Sequence, residues 1–314
     1  EAGSTAIQEL AFTLANGFSY VEHAIDSGLD IDDFAPRLSF FFNSHLDFFE
    51  EIGKFRAARR IWAKVIKEKY NPKDERSLKL RFHTQTAGFS LTAQQPENNI
   101  SRTAFQGLAA VLGGTQSLHT NSMDETLALP SEKAVEIALR TQQLLAYETG
   151  VANVVDPLGG SWYVESMTNK MENGAMTYFD DIEKNGGVIE CIENGYFQRE
   201  IANSSSEYND KLENGNRFVV GMNKFVKSNE NIEIPILKIS KEVEECQIAR
   251  INVLKNERDG KEITKALDNI KRAANSKDNL VPHIINAALA YATLGEIVDA
   301  MKECYGEWHE KSII

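Results

Sequence analysis

Residues 79–130 carry the strongest indication of the fold and read KLRFHTQTAGFSLTAQQPENNISRTAFQGLAAVLGGTQSLHTNSMDETLALP. A short apolar run ends in polar side chains at residues 83–86, and a second run does the same at residues 119–121. A helix-like stretch that ends in glycines separates them. This alternation predicts parallel strands joined by a helix, as in a β/α barrel, where functional side chains collect at the carboxyl ends of the strands.

The composition is that of a globular protein that can bury a sizeable core. The chain has 314 residues, of which 42% are hydrophobic and 25% are charged. No run approaches the roughly 20 apolar residues that span a membrane, and the first residues lack the basic region of a signal peptide. The net charge is −12, without clustered basic residues, which disfavours nucleic-acid and anionic-membrane partners. A few well-placed cations can still hold an anionic small ligand.

The three cysteines, Cys191, Cys246 and Cys304, are far apart in the sequence and form no CxxC pair. This spacing argues against a disulfide framework and against a structural zinc site. We therefore predict no metal ligands from protein side chains. We also expect a reducing compartment, the cytoplasm.

The first half of the chain predicts one initial helix followed by three strand–helix units. Helices are expected at residues 4–27, 46–69, 100–112 and 132–148, and strands at 36–42, 78–83 and 115–119. This is less than half of an eight-stranded barrel. Because the chain opens at Glu1 with a helix and no preceding strand, we expect further barrel residues to precede it.

The second half has a different character. We expect a passage from loop to strand at 154–165, helix at 166–196, irregular structure at 203–230, an extended stretch at 232–240 and charged helices at 241–310. Thr293 and Glu296 form a capping-box pattern for the final helix. The prediction is therefore strand–helix units over residues 1–155 and a mostly helical wrapping or linker segment over 156–314.

Two pairs of polar residues are spaced so that both members face one side of a strand. His83 and Gln85 would project together at a strand end, where an imidazole and an amide can hydrogen-bond a carbonyl oxygen. Arg37 and Ser39 would suit a phosphate or a carboxylate. The structural alternatives are a histidine that satisfies buried backbone groups and an arginine paired with a surface acid.

A third set of polar residues follows the last predicted strand. His119 lies on this strand, and Asn121 and Glu125 in the loop after it suit a ribose hydroxyl or an amide; the alternative is an Asx-turn at Asn121 beside a solvated Glu125. The remaining histidines lie in helix-like or terminal contexts, and we interpret them as structural: His23, His45, His283 and His309.

Long segments resemble the adenosylcobalamin-dependent methylmalonyl-CoA mutase family. They are EAGSTAIQELAFTLANG (1–17), APRLSFFFNSHLDFFEEIGKFRAARRIWA (35–63), RFHTQTAGFSLTAQQPENNISRTA (81–104), GGTQSLHTNSMDETLALP (113–130) and VVDPLGGSWYVE (154–165). The resemblance is nearly continuous to residue 165 and weaker beyond. It implies the C-terminal part of a (β/α)8 barrel of the TIM type, which threads acyl-CoA along its axis, with cobalamin across its mouth. It also implies that an adenosyl radical abstracts and returns a substrate hydrogen while the acyl skeleton rearranges.

The resemblance also implies roles for individual residues. His83 and Gln85 are similar to residues that hold the acyl portion of the substrate. The other implied contacts are Arg37, Leu38, Ser39 and Ser117 for CoA, and Glu1, Gly88, Asn121, Glu125 and Ala128 for the adenosyl group or the corrin face.

Several family features are absent from this sequence. The Tyr-His pair that precedes the EAG motif of residues 1–3, the earlier strands and the cobalt-binding DxHxxG loop do not occur in it. We therefore expect this chain to be inactive alone. It would need an N-terminal barrel segment and a separate cobalamin-binding subunit or domain, in an oligomeric enzyme.

The resemblance leaves the substrate open among several acyl-CoA esters. The first expectation is interconversion of (R)-methylmalonyl-CoA and succinyl-CoA. The alternatives are a sister mutase for isobutyryl-CoA, 2-hydroxyisobutyryl-CoA or ethylmalonyl-CoA, and a non-catalytic chain that binds a cobalamin partner.

Overall fold

The computed structural model describes residues 1–230 and 237–310. The chain divides into two compact units, Glu1–Leu237 and the residues from Lys238 onward. We predicted a different division, at residue 155, between the strand–helix units and a wrapping or linker segment. That division describes the functions of the two parts and stays a prediction. Most of the extended stretch predicted at 232–240 lies outside the described residues.

The first unit alternates helices with three short strands. Its elements are α1 (Ala6–Asp26), α2 (Ile31–Phe34), β1 (Phe40–Ser44), α3 (Phe48–Tyr70), β2 (Phe82–Thr86), α4 (Asn98–Leu112), β3 (Ser117–His119), α5 (Glu132–Tyr147), α6 (Trp162–Lys184), α7 (Val188–Glu193) and α8 (Tyr196–Glu213). Short 3-10 turns precede β1 and β2 and follow β2. The predicted helices of the first half are therefore confirmed, and the side chains of the N-cap residues Thr5 and Ser131 accept backbone N–H groups.

The three strands form one parallel sheet in the order β1-β2-β3, so the α/β class is confirmed. Its two faces differ. Phe42 and Phe82 are buried against Phe55 of α3, with ring centroids 6.2 and 5.4 Å from the Phe55 ring. The other face carries two rows of aligned side chains, Phe41–His83–Ser117 and Asn43–Gln85–His119. The polar rows therefore face away from the helices.

Helix α6 begins inside a segment that we predicted to be a strand. The prediction of a loop-to-strand passage at 154–165 is wrong, because α6 starts at Trp162. The buried residues of α6 recur every three or four positions and face α1 and α3: Val164, Thr168, Met171 and Ala175. This helical period outweighs the β-propensity of the Trp-Tyr-Val sequence. The prediction of irregular structure at 203–230 is also wrong in part, since α8 continues to Glu213.

The second unit contains four helices among its described residues: α9 (Lys241–Glu257), α10 (Gly260–Ala274), α11 (Leu280–Leu289) and α12 (Leu294–Tyr305). The capping box of Thr293 and Glu296 is confirmed. Glu296 also pairs with Arg258, and this hydrogen bond lowers the pKa of Glu296 to about 2. Across residues 1–230 and 237–310, none of the helices combines the length and apolar character needed to cross a membrane.

Candidate functional site

Four residues predicted to face a cofactor meet at the carboxyl edge of the sheet. Gly88 follows β2, and its backbone N–H donates to Glu1 Oε1 at 3.1 Å. A Cβ atom placed on Gly88 would lie 3.0 Å from Asn121 Nδ2 and 3.7 Å from Glu125 Cγ. Residues that are 120 positions apart in sequence therefore meet around one glycine, where a larger side chain would crowd Asn121.

The Asn121 side chain lacks the partners that a buried amide normally has. Asn121 is 3% exposed, and its backbone N–H donates to Thr86 Oγ1 at 2.9 Å. Neither the Oδ1 nor the Nδ2 atom of its side chain has a hydrogen-bond partner among the described residues. An unpaired buried amide costs about 1–3 kcal/mol, which a bound ligand with a donor and an acceptor would offset.

His83 lies one row below this edge, on the open face of the sheet. Its Nδ1 atom is 2.7 Å from the hydroxyl oxygen of Ser117 on β3. Burial and the neighbouring His119 lower the pKa of His83 below its usual 6.5, so the ring is neutral at pH 7. When Ser117 donates to Nδ1, Nε2 carries the ring hydrogen and can donate to a carbonyl oxygen.

The predicted CoA contacts Arg37, Leu38 and Ser39 lie at the opposite end of β1. Arg37 ends the 3-10 turn before the strand, and both Arg37 and Ser39 are exposed, while Leu38 packs against the core. At about 3.3 Å per residue, Ser39 is about 17 Å along the strand from Ser44. The two predicted groups of contacts therefore lie at opposite ends of the sheet.

Comparison with known proteins identifies the family to which this chain belongs. Residues 1–307 match the family described as Methylmalonyl-CoA mutase. The chain belongs to the methylmalonyl-CoA mutase family.

The relatives that resemble this chain are named for two different substrates. The 2-hydroxyisobutanoyl-CoA mutase large subunit of Aquincola tertiaricarbonis is 45% identical over 314 residues, which are all of this chain and 56% of that protein. The methylmalonyl-CoA mutase of Rhizobium meliloti (strain 1021) is 46% identical over 98% of this chain and 43% of its own length. The enzyme of Escherichia coli (strain K12) is 42% identical, again over 98% and 43%. The chain thus spans about half the length of these relatives.

The residues at the carboxyl edge fit the cofactor implied by membership of the mutase family. Gly88 presents bare backbone, Asn121 presents an unpaired amide, and Glu1 and Glu125 present carboxylates beside them. Amide and carboxylate groups can hydrogen-bond ribose hydroxyls, and a flat ring can approach a glycine closely. Ala128 lies in the turn after this cluster, and its backbone N–H donates to the carbonyl oxygen of Asp124 at 3.2 Å.

Two residues that lie beside the candidate site were not among those predicted from the sequence. Phe41 places its ring 5.5 Å from that of His83, and Asn43 stands beside Gln85 in the sheet register. The Oδ1 atom of Asn43 is buried without a partner among the described residues. Alternation along the strand sends the Phe41 ring to the face opposite that of the buried Phe42.

A buried ionic cluster lies behind the end of β1. Lys54 of α3 is 1% exposed and contacts two carboxylates, Glu51 at 2.5 Å and Glu9 of α1. Its Nζ atom also donates to the carbonyl oxygen of Asn43 at 2.8 Å, while Glu9 accepts the N–H of Asn43 at 2.5 Å. The signal for this cluster was present in the sequence, because Glu51 and Lys54 interrupt the apolar face of a predicted helix.

This ionic cluster also closes part of the free edge of β1. Phe40 and Ser44 hydrogen-bond towards β2, through Arg81 O and Ala87 N. Their neighbour Asn43 therefore directs its N–H and C=O to the opposite edge, where Glu9 and Lys54 occupy them. A further parallel strand could pair with β1 at Phe41 but not at Asn43.

We expect the stability of the first unit to depend on pH through Glu51. Burial raises the pKa of Glu51 to about 7, despite the opposing charge of Lys54 and with a contribution from Glu9. The folded protein thus keeps a proton that the unfolded chain releases near pH 4.5. The contribution of Glu51 to the free energy of unfolding is therefore complete below pH 4.5 and is lost as the pH rises through 7. Between these values the free energy of unfolding falls by at most about 1.4 kcal/mol per pH unit.

Denaturant midpoints measured at a series of pH values test this dependence. Glu51→Gln should flatten the decline between about pH 5 and 7.5, and the exposed Glu22→Gln should leave it unchanged. Parallel profiles for Glu51→Gln and the unmodified protein would show that Glu51 does not titrate in this range.

Proposed function

We propose that this chain forms part of an adenosylcobalamin-dependent mutase that interconverts (R)-methylmalonyl-CoA and succinyl-CoA. One observation carries the proposal: Glu1, Gly88, Asn121 and Glu125 come together at the carboxyl ends of β2 and β3, just beyond the His83–Gln85 pair along β2. When bound, adenosylcobalamin would supply the radical chemistry. The side chains of this chain would hold the acyl group within its reach and exclude water.

His83 and Gln85 are the proposed acyl-binding residues. A neutral imidazole and an amide on one face of β2 can both donate to the thioester oxygen without adding charge to the site. Ser117 orients the His83 ring through Nδ1. Phe41, whose ring lies beside that of His83, forms an apolar wall that keeps water from the reacting carbon atoms.

Arg37 and Ser39 are the proposed contacts for the phosphates and nucleotide of CoA. In the described residues no carboxylate pairs with Arg37, so its guanidinium group is available to a phosphate. Arg81 is also exposed at this end of the sheet, where it donates to the carbonyl oxygen of Pro36. Two arginines at the amino edge suit an extended CoA ester whose acyl end reaches His83.

We further propose that the sheet is completed into a (β/α)8 barrel by additional strands and that a separate subunit or domain holds most of the cobalamin. Two features support this proposal. Within the described residues, helices cover only one face of the sheet, and the outer edges of β1 and β3 have no strand partner. Open edges of this kind require covering, so we propose that the isolated chain is inactive.

The substrate alternative is a sister acyl-CoA mutase. It is favoured by the Aquincola relative, which is named as a 2-hydroxyisobutanoyl-CoA mutase large subunit and matches the whole chain at 45% identity. Isobutyryl-CoA and ethylmalonyl-CoA are the other alternative substrates. We place the enzyme in the reducing cytoplasm, which the free thiols of Cys191, Cys246 and Cys304 support.

Turnover by the assembly that contains this chain tests the proposal. The chain would be tagged in its own host, purified with the polypeptides that accompany it, and assayed with methylmalonyl-, 2-hydroxyisobutyryl-, isobutyryl- and ethylmalonyl-CoA. Adenosylcobalamin-dependent isomerisation of methylmalonyl-CoA is expected. Turnover of another ester alone would select the sister mutase, and cobalamin binding without any turnover would indicate the non-catalytic role.

Gly88 provides a test of the cofactor edge that does not require turnover. Gly88→Ala would place a methyl group 3.0 Å from Asn121 Nδ2, at the surface proposed for the corrin. We expect the Kd for adenosylcobalamin to rise about tenfold, which is the effect of overpacking by one small group. Gly295→Ala is the matched control, because a Cβ there meets no atom within 4 Å. Equal titration curves for the two variants would argue against a corrin at Gly88.

A further inference from the structure

A cavity adjoins the proposed cofactor edge within the first unit. Its volume is about 240 Å³, and its wall includes Glu1, His45, Lys54, Ala87 and Arg217. One water molecule takes up about 30 Å³ in the liquid, so this space can hold a small organic group. Because Glu1 and Ala87 belong both to this wall and to the surroundings of Gly88, the cavity opens beside the surface proposed for the corrin.

His45 presents a hydrogen-bond donor that the protein does not use. Its Nδ1 atom accepts the N–H of Leu46 at 2.8 Å, so the hydrogen of a neutral ring lies on Nε2. Burial, with the charges of Arg217 and Lys54, lowers the pKa of His45 to about 4, and the ring is therefore neutral at pH 7. Within residues 1–230 and 237–310, no acceptor is hydrogen-bonded to Nε2.

Arg217 is a second donor on the same wall. Its guanidinium carbon lies 4.4 Å from the ring centroid of Tyr208, and Tyr208 in turn contacts the ring of Phe89 at 5.4 Å. No carboxylate of the described part of the chain lies within ion-pair distance of this guanidinium. The aromatic contact fixes the position of the arginine while leaving its N–H groups free.

The charge on the cavity wall selects against an anionic occupant. Apart from Glu51, whose pKa is raised to about 7, five carboxyl groups stand there against three cationic side chains. An anion would meet excess negative charge, whereas a neutral group that both donates and accepts would satisfy the donors and the carboxylates together. A primary carboxamide has this combination of properties.

We infer that this cavity binds a primary carboxamide, whose oxygen accepts from His45 Nε2 and whose nitrogen donates to a wall carboxylate. The inference rests on the proposed function, because the occupant we assign is one of the acetamide or propionamide groups on the rim of the corrin ring. His45 would thereby fix the rotation of the ring over Gly88. An asparagine or glutamine side chain of a partner protein has the same chemistry, and the experiment separates the two sources.

Equilibrium titration of adenosylcobalamin into the tagged assembly tests the inference. His45→Leu removes the donor and is expected to raise the Kd about tenfold, whereas His45→Gln, which places an amide N–H near the position of Nε2, should stay within about threefold of the unmodified protein. The affinity for acyl-CoA should not change in either variant. Thermal unfolding checks that both variants keep the fold.

The outcomes separate failure of this inference from failure of the proposed function. If the unmodified assembly binds no adenosylcobalamin, the proposed function fails and the corrin assignment fails with it. If it binds the cofactor but His45→Leu binds it equally well, the inference alone is wrong. If His45→Leu keeps the cofactor and loses a co-purifying polypeptide, the carboxamide belongs to a protein side chain and the corrin assignment is overturned.

Discussion

Replacing Lys54 with methionine is expected to lower the free energy of unfolding of the first unit by about 3–5 kcal/mol. The side chain is 1% exposed and neutralises Glu9 and Glu51, which are 18% and 2% exposed. Methionine has a similar length but leaves the buried carboxyl groups of Glu9 and Glu51 without their hydrogen-bond donor, and it leaves the carbonyl oxygen of Asn43 without its donor. Fluorescence of the buried Trp62 during denaturant unfolding measures the loss, since Trp162 and Trp308 are largely exposed.

Two further variants make the Lys54 experiment decisive. Lys69→Met breaks the half-exposed ion pair with Glu22 and should change stability by less than about 0.5 kcal/mol. The triple variant Glu9→Gln, Glu51→Gln, Lys54→Met removes the charges together and should recover about half of the loss. A Lys54→Met protein that unfolds at the same midpoint as Lys69→Met would refute a structural role for the ionic cluster.

Replacing His83 with alanine is expected to reduce kcat of the assembled mutase about 100-fold, with a small change in KM. The ring is the proposed donor to the thioester oxygen, and loss of one preorganised donor typically lowers kcat by about 10²–10³. Ser117→Ala removes only the group that orients Nδ1 and should cost about tenfold. Initial rates over a range of acyl-CoA concentrations separate the effects on kcat and KM.

Controls and pH dependence distinguish a chemical role of His83 from a structural one. His23→Ala, on the exposed surface of α1, should retain full activity. The pKa of His83 lies below its usual 6.5, so its neutral form, and with it the rate, should persist above pH 6.5 and fall only in more acidic solution. A His83→Ala enzyme with unchanged kcat would remove this residue from the mechanism.

The strands show how far sequence patterns reach in this protein. β1 was predicted at 36–42 and lies at Phe40–Ser44, and β2 was predicted at 78–83 and lies at Phe82–Thr86. Both predictions began too early because 3-10 turns precede the strands, and both ended too early because the strands continue into polar residues. The polar residues belong to the strands because one face of this sheet carries aligned polar side chains and not a core, which composition alone does not reveal.

The sequence predicted most residues of the candidate site but few of the contacts between them. His83 and Gln85 follow from alternation along a strand, and the grouping of Gly88 with Asn121 and Glu125 followed from the family resemblance. The union of Glu9 with Lys54 could not be predicted, because it joins two helices 45 positions apart in sequence and depends on their packing. The sequence led us to interpret His45 as structural. Its Nε2 atom could not be recognised as a free donor without the structure, which shows the hydrogen bond at Nδ1 and the cavity beside the ring.

Transfer of hydrogen between substrate and cofactor tests the central claim most directly. The tagged assembly would be mixed with adenosylcobalamin and methylmalonyl-CoA deuterated at its methyl group, and the adenosyl group would be analysed by mass spectrometry. Because the proposed cofactor edge at Gly88 and Asn121 lies at the carboxyl end of the strand that carries His83, we predict that deuterium appears at the 5′ carbon of the adenosyl group and that His83→Ala slows its appearance. Formation of succinyl-CoA with no deuterium in the adenosyl group would contradict the account.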